Sequence, residues 1–114
     1  MDVARACARV RELRARQRRL MLDIELDVRR AYLQLQDAEE RLKVAEQAIG
    51  QAGESLREIE ARYRGQSATI TQLVDAQVAL SNTRVRRTNA QADLEIARAS
   101  LERAVGRLAE VMQP

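Results

Sequence analysis

The side chains able to carry chemistry in this 114-residue chain are seventeen carboxylates, nineteen arginines, one lysine, Cys7 and two tyrosines. Paired carboxylates can act as general acid and base, provided a site separates their proton affinities. Scattered along exposed helix faces, they serve instead as solvated partners for arginine. The chain has no histidine, so it has no imidazole base. Its lone cysteine can form neither an intramolecular disulfide nor a zinc cluster. No G-x-G-x-x-G, Walker or G-x-S-x-G pattern occurs. The sequence therefore predicts no enzyme, no cofactor and no metal site.

The elements that would position these groups follow from composition. Hydrophobic residues make up 46% of the chain, but nineteen of them are alanine, and Tyr32 and Tyr63 are the only aromatics. A compact core of this size normally rests on several large side chains. One proline and four glycines leave little material for the turns of a sheet protein. The expectation is an all-α chain of long helices. No stretch approaches the roughly 20 consecutive apolar residues of a membrane-spanning helix, and no signal peptide opens the chain.

Hydrophobic period specifies the helices. From Val28 the apolar positions run Ala31, Leu35, Ala38, Leu42, Ala45, Ile49, Ala52, Leu56, Ile59 and Tyr63. The spacing alternates three and four, which is the a/d seam of a coiled coil. Val10, Leu13, Gln17, Leu20 and Ile24 follow the same rule upstream. The step from Ile24 to Val28 adds a second four in succession, a stutter that locally relaxes the supercoil. A second seam runs Leu73, Ala76, Leu80, Thr83, Arg87, Ala90, Leu94, Ala97, Leu101, Ala104, Leu108 and Val111. Alanine tends to alternate with Leu or Ile in both, so large side chains can fill the space opposite alanines. A further apolar line, Val78, Val85, Ala92 and Ala99, is expected beside the second seam, where other helices would pack.

The one convincing break is Tyr63 to Thr69. Gly65 is the residue expected to take the left-handed conformation that ends a helix. Thr69 followed by Gln72 is a capping box. The first helix is thus expected over about 3–63, the turn over 64–69 and the second helix over about 70–112. At ~1.5 Å per residue the helices would be about 90 Å and 65 Å long. Gly50 and Gly53, inside the first, each cost about 1 kcal/mol relative to alanine unless a neighbour approaches closely there. A short turn makes the helices antiparallel, with residue i facing roughly 132 − i. Arg87 then lies opposite Ala45 and Glu46, with Glu46 as its expected ionic partner. Arg87 is also a candidate for setting register or partner choice.

Charge is uneven along the chain. Residues 1–20 carry seven arginines against Asp2 and Glu12, residues 21–62 are net acidic, and the remainder is weakly basic, for +3 overall. The basic start has no counterpart in the second helix and no aromatic platform for bases, so it reads as a solvated helix face rather than a nucleic-acid site.

Three fragments together carry a resemblance. Val28-Arg29-Arg30-Ala31-Tyr32 is similar to the V-x-x-A-Y that begins a long helix in TolC-like outer-membrane efflux factors. Ala61-Arg62-Tyr63-Arg64-Gly65 with Leu73-Val74-Asp75-Ala76-Gln77 resembles that family's R-Y-x-x-G…L-L-D-A-Q stretch. Leu101-Glu102-Arg103-Ala104-Val105-Gly106 resembles its closing L-x-x-A-x-G. There are two departures. Aligned from Tyr63, the family's glycine position holds Gln66, with Gly65 one residue early. The position three before Asp75, often acidic in relatives, is Gln72.

The resemblance implies a homotrimer in which each protomer gives two helical hairpins to a periplasmic tunnel and four strands to an outer-membrane barrel. This chain would be the second hairpin, in the periplasmic portion of a Gram-negative outer-membrane protein. The first hairpin and the strands would lie outside it, and its only tie to the membrane would be through that barrel. The partners implied are a periplasmic adaptor (membrane fusion) protein and an inner-membrane pump, for efflux or type I secretion. Arg64, Gly65, Gln66, Ser67, Ala68 and Thr69 would form the tip that meets the adaptor. Tyr63 would help to hold the tip closed, and Gln72 and Asp75 would line the entrance constriction. Asp75 in the first helical turns could otherwise simply favour the helix dipole.

Two other readings use the same heptads. One is the hairpin of a periplasmic adaptor protein, which the Ala31-Tyr32 start, Tyr63 and the Ala104-Val105-Gly106 end speak against. The other is a self-contained coiled-coil spacer or oligomerisation module, which needs no particular residues at the turn.

Overall fold

The computed structural model describes residues 2–113 and contains two helices and, among those residues, no strand. α1 spans Asp2–Arg64 and α2 spans Ile70–Met112. The molecule is a rod of 95 × 22 × 13 Å. Neither helix contains proline, and both are rich in alanine, arginine, leucine, glutamate and glutamine, the residues that lose least on entering a helix. Helices this long persist because one face of each is buried along its length. α1 runs on through Arg64, one residue into the expected turn.

The buried residues are Ile24, Ala31, Ala38 and Ala45 on α1 and Ala76, Ala90, Leu94, Ala97 and Ala104 on α2, all members of the two seams. The other seam positions from Val28 to Ile59 and from Leu73 to Val111 are half-buried. A two-helix interface covers only one side of a long side chain but encloses a methyl group, so alanine dominates the buried set.

Two ion pairs mark the register. Arg41 meets Asp93 and Asp27 meets Arg107, each at 3.7 Å. Both join residue i of α1 to residue 134 − i of α2, from positions flanking the seam. In an antiparallel coiled coil this sets core position i against 132 − i, the expected register. Leu35 thus stands against Ala97 and Ala38 against Leu94, and these four residues pack in one cluster with Leu42. Large faces small, as the alternation requires.

Three expectations need correction or qualification. Arg87 lies in the layer of Ala45 but forms no ion pair with Glu46, and its Nε is buried without a hydrogen-bond partner. The seam's other polar residue, Thr83, is satisfied, because its hydroxyl donates to the Leu80 carbonyl at 2.7 Å. The line Val78, Val85, Ala92 and Ala99 is exposed rather than beside the seam. Each of these residues follows a buried-face position by two, which on a heptad is the side turned away from the partner helix. Finally, α1 continues through Gly50 and Gly53 with no close approach to either. A methyl group at Gly50 would meet nothing within 4 Å, and one at Gly53 only the mobile end of Arg57 at 3.9 Å.

Candidate functional site

The expected tip residues come together at one end of the rod, held almost entirely by polar groups. Where α1 stops, the Ser67 N–H donates to the Arg62 carbonyl at 2.7 Å and the Gln66 N–H to the Tyr63 carbonyl at 3.1 Å. This six-to-one and five-to-two pairing is a Schellman motif, which satisfies carbonyls that a helix end leaves free. The motif requires one left-handed residue, and that residue is Gln66, with φ 61°; Gly65 keeps a negative φ. The expectation for Gly65 is therefore overturned by the hydrogen-bond register. Gly65 still belongs to the last helical turn, its N–H bonded to the Ala61 carbonyl at 3.0 Å.

Where α2 starts, Thr69 is the N-cap, in an extended conformation. The Gln72 N–H donates to Thr69 Oγ1 at 3.2 Å and the Thr69 N–H to Gln72 Oε1 at 2.9 Å. The capping box is thus complete, and Gln72 is committed to it. An acidic side chain at Gln72 could accept the same bond, so the departure at this position leaves the local fold intact.

Between these caps there is little apolar packing. Residues 61–67 and 69–72 are exposed, and only Ala68 is half-buried. Tyr63, last of the first seam, is 42% exposed. Asp75 is exposed and lies in the second turn of α2 rather than the first, beside Ile70, Thr71 and Val74 along a shallow groove. The dipole's influence falls off beyond the first turn, so the helix dipole does not account for an acid there.

One contributor escaped the sequence reading. The Arg62 guanidinium donates to the Ser67 carbonyl at 3.4 Å, and the Ser67 hydroxyl returns to the Arg62 carbonyl at 3.2 Å. Arg64 Nε likewise donates to the Glu60 carbonyl at 3.4 Å. Basic residues in the last turn of a helix were the available signal.

At the opposite end the first and last of the three fragments meet. The register sets Val28 against Ala104 and Ala31 against Leu101, with Ala31 and Ala104 buried. Val28, Tyr32, Leu101 and Val105 line one shared apolar groove. Tyr32 is exposed, and its hydroxyl accepts a bond from Gln36 Nε2 at 3.0 Å.

Among the described residues no group of three or more His, Cys, Asp or Glu is placed to hold a metal ion, and no helix is long and apolar enough to cross a membrane.

Compared with protein families, the chain matches the outer membrane efflux protein family over residues 2–107. It belongs to that family. Comparison with characterised proteins and with solved structures gave no match. The match takes in α1, the turn, α2 as far as Arg107 and all three fragments. The outer membrane efflux proteins are transport proteins of the outer membrane that form trimeric channels working with adaptors. A role in outer-membrane efflux follows for this chain, and the helical hairpin is the part of such a channel that the structure displays.

Proposed function

We propose that this hairpin is a wall element of a trimeric efflux or type I secretion channel, with its turn at the periplasmic entrance. Residues Arg64 to Thr69 are the surface offered to a periplasmic adaptor protein, itself coupled to an inner-membrane pump. Tyr63, Gln72 and Asp75 border the constriction. The observation that carries this reading is the left-handed residue at position 66, the place where the family pattern has its glycine. A left-handed residue in the frame of that glycine supports the reading, although the residue type differs.

Opening would move α2 against α1 at the tip. The polar caps make such movement inexpensive, because few apolar contacts have to part there. An adaptor favours opening only by contacting the open tip better than the closed one. The hairpin does no chemistry of its own; its contribution is a polar path and a controlled mouth.

A photo-crosslinking residue at Ser67, in cells expressing the channel, tests this. The expected product is a covalent adduct with a periplasmic adaptor, and the same probe at Ala92 on the outward face of α2 gives none. Adducts equally frequent at both positions, or none from Ser67, would refute tip docking.

A further inference from the structure

Within the stretch where α1 and α2 cover each other, a cleft of about 260 Å³ opens beside the seam. Its floor is the buried pair Ala31 and Ala104, and around it Asp27, Arg30 and Gln34 of α1 face Ser100, Arg103 and Arg107 of α2. A second cleft of about 280 Å³ lies two heptads nearer the turn, and every residue lining it is displaced from its counterpart in the first by that same step. The buried alanines Ala45 and Ala90 form its floor, and its ion pair Arg41–Asp93 is Asp27–Arg107 with the charges exchanged. The shape of both clefts therefore comes from the repeat of the seam, and what each can hold depends on its rim.

The rims differ in kind. Val44, Ala48 and Asn89 of the second cleft stand where the first has Arg30, Gln34 and Arg103. The first gathers three arginines against one acid, and that acid, Asp27, meets Arg107 only at 3.7 Å. Arg30 and Arg103 form no ion pair among the described residues. Arg103 and Arg107 stand four apart on one helix, a like-charge pair that destabilises it, while Arg30 lines the same cleft from the other helix. An anion seated between the helices relieves that repulsion.

We propose that this cleft binds a phosphate group, with Arg30, Arg103 and Arg107 as its cationic wall and Gln34 and Ser100 as neutral donors. Each guanidinium offers a planar fork of N–H donors. A carboxylate, with two oxygens, is filled by one such fork, whereas phosphate presents oxygens on several sides to forks arriving from two helices. The rim carries +3 from its arginines and −1 from Asp27, a net +2 that a dianion neutralises. All of these residues lie where the two helices overlap, at the end of the shared rod away from the turn, so the inference goes beyond the channel reading and stands or falls separately from tip docking.

The test is an amide NMR titration of the isotope-labelled chain with inorganic phosphate, at an ionic strength held constant with sodium chloride. The expected result is a saturating shift of the Gln34, Ser100 and Arg103 signals, with little movement at Asn89 in the second cleft or at Arg9 in the basic start. Arg30→Gln combined with Arg103→Gln weakens binding about tenfold, the product of two exposed charge contacts, while the helical circular dichroism is unchanged. Arg86→Gln, on the rim of the second cleft, leaves binding as it was. Vesicles containing phosphatidic acid separate the sources of the group: saturation by free phosphate assigns a soluble anion, and binding to vesicles alone, lost in the double variant, assigns a lipid headgroup. No saturating shift in either arm, shifts of equal size at Arg9 and Ser100, or equal weakening by Arg86→Gln and the double variant overturns the proposal.

Discussion

Arg62 and Ser67 clasp each other across the end of α1. The Ser67 N–H and hydroxyl both donate to the Arg62 carbonyl, at 2.7 and 3.2 Å, and the Arg62 guanidinium donates back to the Ser67 carbonyl at 3.4 Å. A Schellman turn is often accompanied by an apolar contact between these two positions. Here polar bonds replace it, so the tip is closed without burying greasy surface at the point proposed to meet a partner.

The left-handed residue at that turn gives the first prediction. Gln66→Gly removes a steric cost at φ 61° and raises stability by about 0.5–1 kcal/mol after the greater freedom of glycine in the unfolded chain is counted. Gly65→Ala leaves stability unchanged or slightly higher, because the added methyl group would sit 3.5 Å from the Ala61 carbonyl, an ordinary contact. Urea midpoints of both variants check this. A large loss at Gly65 would put the left-handed residue there instead.

Thr69→Ala deletes the side-chain half of the capping box and costs about 1 kcal/mol. Thr69→Ser retains most of it. Thermal melts followed at the helical circular-dichroism band distinguish the two.

Arg87 occupies a seam layer with a buried, unpartnered Nε. Arg87→Leu replaces it with a side chain suited to the space beside Ala45 and raises stability by about 1 kcal/mol. Sedimentation of the same variant reads the other role: a changed oligomeric state shows that the arginine selects partners, and a lower melting temperature contradicts the assignment of an unsatisfied group.

Ala38, 1% exposed, packs with Leu94. Ala38→Leu overfills that layer and costs about 1–3 kcal/mol. Combining it with Leu94→Ala restores the summed volume and recovers much of the loss, a coupling that a double-mutant cycle measures.

Asp93→Ala breaks the cross-helix pair with Arg41, but both side chains are more than half exposed. The expected loss is below about 0.5 kcal/mol and vanishes in high salt. A loss of several kcal/mol would mean that the register depends on this pair rather than on the seam.

Most of the hairpin could be read from spacing alone, because the three-and-four alternation acts over many residues and one misplaced side chain does not erase it. The capping box was equally readable, since its two bonds join residues three apart. What escaped were choices made among neighbours. Gly65 and Gln66 both border the break, and residue type favoured glycine; the left-handed residue is set by where the carbonyls of Arg62 and Tyr63 find donors. Glu46 is adjacent to the Arg87 layer in number, yet sequence distance across an interface does not say toward which flank a side chain leans. The Arg62–Ser67 clasp rests on rotamers that no pattern encodes. The gating proposed for Tyr63, Gln72 and Asp75 belongs to a constriction shared among protomers, of which one hairpin presents only its part.

The alternation of large and small layers behaves like a toothed rack. From Val28 to Leu56 the bulky teeth of α1 rest in gaps formed chiefly by alanines of α2. Half a repeat of axial travel would bring tooth against tooth. Only a whole-repeat jump of about 10 Å restores the mesh, and that would carry Arg87 out of its layer with Ala45. Lengthwise creep is therefore closed to this pair of helices. Any opening at the Gln66 end has to proceed by splaying or rolling the free tips about a shaft that stays engaged.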